Sequence, residues 1–144
     1  LQSLLRDYTA RHGDDFSHFA DEYAIQLNDT HPVISIPELI RLLTDGEGLS
    51  FDYALDICKQ VFSYTNHTIL AEALEKWSQH LRERTIPRVF HIIVMLDQYL
   101  GGELHQKGIT GDKEYCSTAP CTWLTWLSTA RATSTALRSC TPRF

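Results

Sequence analysis

Asn28, Asp29 and His31 crowd into one run, Gln26-Leu27-Asn28-Asp29-Thr30-His31-Pro32, behind the apolar stretch Tyr23 to Leu27. A second run, Phe62-Ser63-Tyr64-Thr65-Asn66-His67-Thr68, again closes a β-prone stretch with Asn and His. A carboxylate beside an imidazole fixes its tautomer and favours its charged form. Such a pair can orient a hydroxyl-rich ligand through directed hydrogen bonds. The same residue types also suit a plain turn before Pro32 and a capped loop at His67. Two His and one Asp are zinc ligands in kind, but their spacing follows no zinc motif. Asn28-Asp29-Thr30 and Asn66-His67-Thr68 both fit the N-glycosylation pattern. Their place at the ends of strands expected to be buried, and the lack of a secretion pattern at Leu1-Gln2-Ser3, argue against that use.

The elements that would position these residues are legible as periodicities. Leu4, Leu5 and Tyr8 share one face of an opening helix, which Gly13-Asp14-Asp15 breaks. Phe16 to Asp21 reads as a polar-aromatic connector, and the first strand follows. Ser35-Ile36-Pro37-Glu38 predicts a helix start, with Ser35 as cap and Glu38 reaching back to it. Leu39, Ile40, Leu42 and Leu43 form its buried stripe, and Gly46 and Gly48 end it. Ser50 caps the next helix, where Phe51, Ala54, Leu55, Cys58, Val61 and Phe62 recur at helical spacing. The order strand–helix–helix–strand predicts two parallel strands joined by a crossover. In an open α/β sheet their carboxyl ends form the ligand crevice, so Asp29, His31 and His67 should meet at one rim. Ser78 starts a helix to about Arg84. Pro87 opens a longer one, with Val89, Ile92, Ile93, Leu96 and Leu100 on one face and Gly101-Gly102 as its stop. Trp77, Phe90 and Tyr99 read as packing residues, and Arg82, Arg84 and Arg88 as a solvated helix face.

Composition narrows the function classes. The 144 residues carry a formal charge of -5 and no basic cluster, which argues against nucleic acid. No apolar run approaches a membrane span. The four cysteines include no CxxC, so neither a disulfide framework nor a cysteine zinc site is indicated, and a reduced intracellular setting is expected.

Taken together, Gln26 to Pro32, Ile36-Pro37-Glu38-Leu39, Tyr64 to Thr68, Glu72-Ala73-Leu74-Glu75-Lys76-Trp77 and Pro87-Arg88 closely resemble the α-glucan phosphorylases (glycogen, starch and maltodextrin phosphorylases). The resemblance runs in order from about Leu1 to Leu100. It implies that residues 1–100 are a fragment of an N-terminal, Rossmann-like domain of the GT-B type: α/β, with parallel strands and flanking helices. Residues 101–144 would be a linker and an aberrant tail. The implied reaction is transfer of glucosyl units from an α-1,4-glucan to inorganic phosphate, giving glucose 1-phosphate in a cytoplasmic, homodimeric parent enzyme. By the same resemblance His67 contacts the glucosyl unit, Asp29 orients it, and His31 lines the acceptor side. Asn66, Thr68, Glu72 and Ala73 belong to the sugar-contacting loop. Ala71 stands where the family usually has Pro, which bears on that loop's stiffness. The family's cofactor is pyridoxal phosphate, and none of Lys59, Lys76, Lys107 or Lys113 sits in a motif matching its lysine. A rival reading makes the chain a non-catalytic remnant, at most a weak carbohydrate-binding module.

The tail departs from everything before it. From Tyr115 to Phe144 there is no Asp, Glu, Lys, Val or Ile. Reading one base earlier allows Thr122-Trp123 to encode Met and Trp123-Leu124 to encode Ala. Ser134 to Phe144 then allows a Gly-Val-Ala and Leu-His order that resembles the family's continuation. Residues from about Cys116 onward are therefore expected to be out of frame, with no binary pattern selected for packing.

Overall fold

Six α-helices, a π-helical turn and a two-stranded parallel sheet make up the described residues, 1–65, 67 and 78–106, of a computed structural model. Helix α1 (Gln2–His12) buries Leu5 and Tyr8 and ends at Gly13, whose φ of 62° is a conformation glycine adopts without strain. The connector that follows is more than polar-aromatic filler. It contains a short helix, α2 (Phe19–Glu22), and Phe16 and Phe19 both enter the core. Tyr8 sits edge-on to Phe19 at 4.9 Å and donates its hydroxyl proton to the Asp15 carbonyl at 2.8 Å. That bond satisfies the polar end of a ring that is otherwise fully buried.

Strand β1 (Ile25–Asn28) begins two residues later than the apolar run suggests and turns Leu27 into the core. Helix α3 (Ser35–Arg41) starts where expected but without the expected box. Ser35 is its first helical residue, and its hydroxyl donates to the Pro32 carbonyl at 2.5 Å. Glu38 turns forward to grip Arg41 through two contacts of 2.7 Å. The reason is local: the preceding turn is already helical at Ile34. The N–H groups of Ser35 and Ile36 bond to the Pro32 and Val33 carbonyls, at 3.0 and 3.1 Å, so few orphan donors await a cap. After α3 the chain widens into a π-helical turn, Leu42–Gly46, which still buries Leu43. Gly48, at φ 73°, completes the exit.

Ser50 caps α4 (Phe51–Val61) as the sequence predicts, accepting from the Tyr53 N–H at 3.3 Å. This helix buries Ala54, Leu55, Ile57, Cys58 and Val61. It feeds directly into β2 (Phe62–Thr65), which pairs with β1 in parallel, Ile25 opposite Phe62 and Asn28 opposite Thr65. The Cys58 thiol is wholly buried, and desolvation pushes its pKa well up, so it serves as a small hydrophobe.

Ser78 likewise caps α5 (Gln79–Thr85), accepting from the Leu81 N–H at 3.2 Å. Helix α6 (Pro87–Gln106) buries Val89, Ile92, Leu96 and Leu100 and packs on α3 and α5. It does not stop at Gly101-Gly102. Each glycine costs about 1 kcal/mol against Ala in a helix, but the buried stripe ahead holds the axis. The Tyr99 hydroxyl spans the pair to Glu103 at 3.2 Å. The arginines are not a uniform solvated face either. Arg88 forks onto both Asp45 oxygens at 2.8 and 2.5 Å, tying α6 to the π turn. Arg82 lies 5.8 Å over the Phe90 ring, and burial lowers its pKa. The tail from residue 107, with the Cys116 boundary and the two tail tryptophans, lies outside the described residues.

Candidate functional site

The parallel pairing of β1 and β2 brings their carboxyl ends side by side. The ladder runs one step past the strands, as the Asp29 N–H donates to the Thr65 carbonyl at 2.9 Å. At that point the chain must leave the sheet, and Asp29 does so at φ 59°, in the left-handed region. Asp tolerates this conformation better than most side chains. The Asp29 carboxylate Oδ1 accepts the backbone N–H of His67 at 2.7 Å, a charge-assisted bond across 38 positions of sequence. The two chemistry-bearing runs are thereby joined at one rim.

The imidazole is held differently from the sequence expectation. The carboxylate of Asp29 meets the main chain of His67, while the ring's Nε2 stands 3.3 Å from the Asn28 Oδ1. A strand-end residue whose side chain follows the pleat lies beside the neighbouring strand's exit, which is why Asn28 reaches the ring. Gln26, on the same face two residues back, donates to Thr65 Oγ1 at 2.9 Å and braces the adjacent position. His31 follows in the turn toward α3, exposed, while Thr30 beside it is buried. Asn28 is also exposed rather than buried. The expectations placed on Asn66, Thr68, Ala71, Glu72, Ala73 and Trp77 fall outside the described residues.

Among the described residues the rim brings together the Asp29 carboxylate, the His67 imidazole and the Asn28 amide, all reachable by solvent, above an apolar core. Such a set suits directed hydrogen bonds to hydroxyl groups. Among the described residues it provides no cofactor lysine. Lys59, the one lysine among the described residues, stands on α4, 3.4 Å from Asp56 and 5.2 Å over the Tyr99 ring. Among the described residues no helix is long and apolar enough to cross a membrane.

Residues 1–120 match the family model described as carbohydrate phosphorylase. The α-1,4 glucan phosphorylase L isozyme of Ipomoea batatas, chloroplastic/amyloplastic, is 44% identical over 78% of this chain. Glycogen phosphorylase 2 of Dictyostelium discoideum is 54% identical over 59% of it. The cytosolic α-glucan phosphorylase 2 of Arabidopsis thaliana is 51% identical over 58% of it. The matched segments are 12%, 8% and 10% of those proteins, so this chain spans about a tenth of their length. With the family model covering 120 residues and these identities behind it, the chain belongs to the carbohydrate phosphorylase family.

Proposed function

We propose that this chain supplies part of the sugar-binding cleft of an α-1,4-glucan phosphorylase. That enzyme transfers glucosyl units from glycogen or a related glucan to inorganic phosphate, releasing glucose 1-phosphate. The observation that carries the reading is the bond from the His67 N–H to the Asp29 carboxylate. It joins, at one solvent-facing edge, the two runs that end in Asn and His. In this reading His67 touches the glucosyl unit, Asp29 fixes the His67 main chain, and His31 faces the acceptor side. Asn66, Thr68, Glu72 and Ala73 continue the sugar-contacting loop. The surrounding architecture is a GT-B domain, whose sheet would extend the β1–β2 pair.

Pyridoxal phosphate is the cofactor of the complete enzyme in this reading, held by a lysine that is not in this chain. Lys59, engaged on α4, does not fit that role. The parent is a homodimer in the cytoplasm, in keeping with the cytosolic Arabidopsis relative. The tail from about Cys116 is an out-of-frame continuation, which agrees with a family match ending at residue 120. Gene sequencing checks it. Codons for Thr122-Trp123-Leu124 that do not give Met-Ala one base earlier refute it.

Titrating the chain with a linear α-1,4 maltooligosaccharide, followed by NMR, tests the cleft. Signals of Asn28, Asp29 and His67 should move together and saturate. Signals that stay put at millimolar sugar would reject the cleft reading.

A further inference from the structure

We infer that Asn28 is a positioning residue that sets the tautomer of His67, the role that a carboxylate usually fills. Asp29 is the obvious partner by sequence, yet its Oδ1 is taken by the His67 backbone N–H at 2.7 Å. The group against the ring is the Asn28 amide oxygen, 3.3 Å from Nε2. An amide oxygen only accepts, so Nε2 carries the proton and Nδ1 keeps its lone pair. Nδ1 is then the atom able to accept from a sugar hydroxyl, a consequence that rests on the cleft reading above. A neutral amide does this without adding charge. A carboxylate in the same place would favour the charged ring, in which both nitrogens donate. The division of labour follows from the sheet. Asn28 ends β1 opposite Thr65, one residue before the backbone turns left-handed at Asp29. Neighbouring side chains of one strand end therefore take the ring and the main chain of the same histidine.

Nitrogen NMR of the His67 ring in the unliganded 144-residue chain tests the assignment. Above the ring's pKa a single tautomer is expected, with Nε2 protonated and Nδ1 bare. Asn28→Leu should let the Nδ1–H form appear. Asn28→Asp should keep the Nε2–H and raise the ring's proton affinity. An Nδ1–H ring in the unaltered chain overturns the inference, as does an Asn28→Asp ring whose pKa does not move. Should Asn28→Leu fail to fold, the unaltered chain and Asn28→Asp still decide. Sugar is absent throughout, so a correct tautomer with no oligosaccharide binding would sink the cleft reading and leave the role of Asn28 intact.

Discussion

The core between α3, α4 and α6 and the rim at the ends of β1 and β2 are built on opposite terms. In the core, Ile36, Leu39, Ile40, Leu55, Cys58 and Ile92 are almost wholly buried and no one of them is unique. Dispersion and burial are non-directional, so many apolar sequences would fill that space. At the rim two side-chain bonds, 2.7 and 3.3 Å, hold one histidine, and both partners come from adjacent residues. There the order of Asn before Asp decides which part of His67 is held. Stability resides in redundancy, and the geometry of the rim in a few directed contacts.

The comparison can be broken by substitutions that should fail in only one region. Ile40→Ala, fully inside the core, should cost about 2–5 kcal/mol. Urea unfolding measures it, and a loss under 1 kcal/mol would mean the core collapses around the gap. In a full-length enzyme carrying this segment, His67→Ala should slow turnover on the order of 10²-fold while the melting temperature barely shifts. An unchanged rate with a lowered melting temperature would move His67 into the structural class. Asp29→Ala removes a charge-assisted bond and leaves a left-handed residue without its tolerant side chain, for about 2 kcal/mol. Asp29→Asn keeps an acceptor and the tolerance, so it should lose much less. Equal losses in the two variants would refute the role given to that bond.

The smallest effect is expected at the Asp45–Arg88 pair, which lies on the surface and is screened. Arg88→Ala should cost about 0.5 kcal/mol at neutral pH. The Arg88 guanidinium holds the Asp45 carboxyl below its ordinary value of 3.8. A depressed folded-state value means the stabilisation is present above that ordinary value and disappears as pH falls through the folded one. The variant and the unaltered chain should therefore converge in acid, once the pH lies below the depressed Asp45 value. A gap that persists there would point to lost packing of the arginine stem.

Much of the frame was legible because period and capping are local. The stripe Ala54, Leu55, Cys58, Val61, the cap Ser50 and the helix start at Ser78 need only neighbouring residues to act, and all of them behave as read. Misreadings arose where a competing contact, near or distant, overrides the local signal. Gly101-Gly102 has the form of a helix stop, but the anchored residues before it carry α6 to Gln106. Glu38 has the form of a capping-box partner, but a turn that is already helical satisfies the donors it would have served. Arg88 looked solvated because Asp45, its partner, is 43 positions away.

By itself the sequence determined the family, the alternation of strands and helices, and the two runs that end in Asn and His. Each of these follows from residue type and short spacing. Only tertiary structure decided the register of Asn28 against Thr65, the left-handed exit at Asp29, and the choice of amide for the imidazole and carboxylate for the main chain. Those depend on a hydrogen bond's direction and on a separation of a few tenths of an ångström. Such quantities exist only after the long crossover through α3 and α4 has closed and two strands distant in sequence lie side by side.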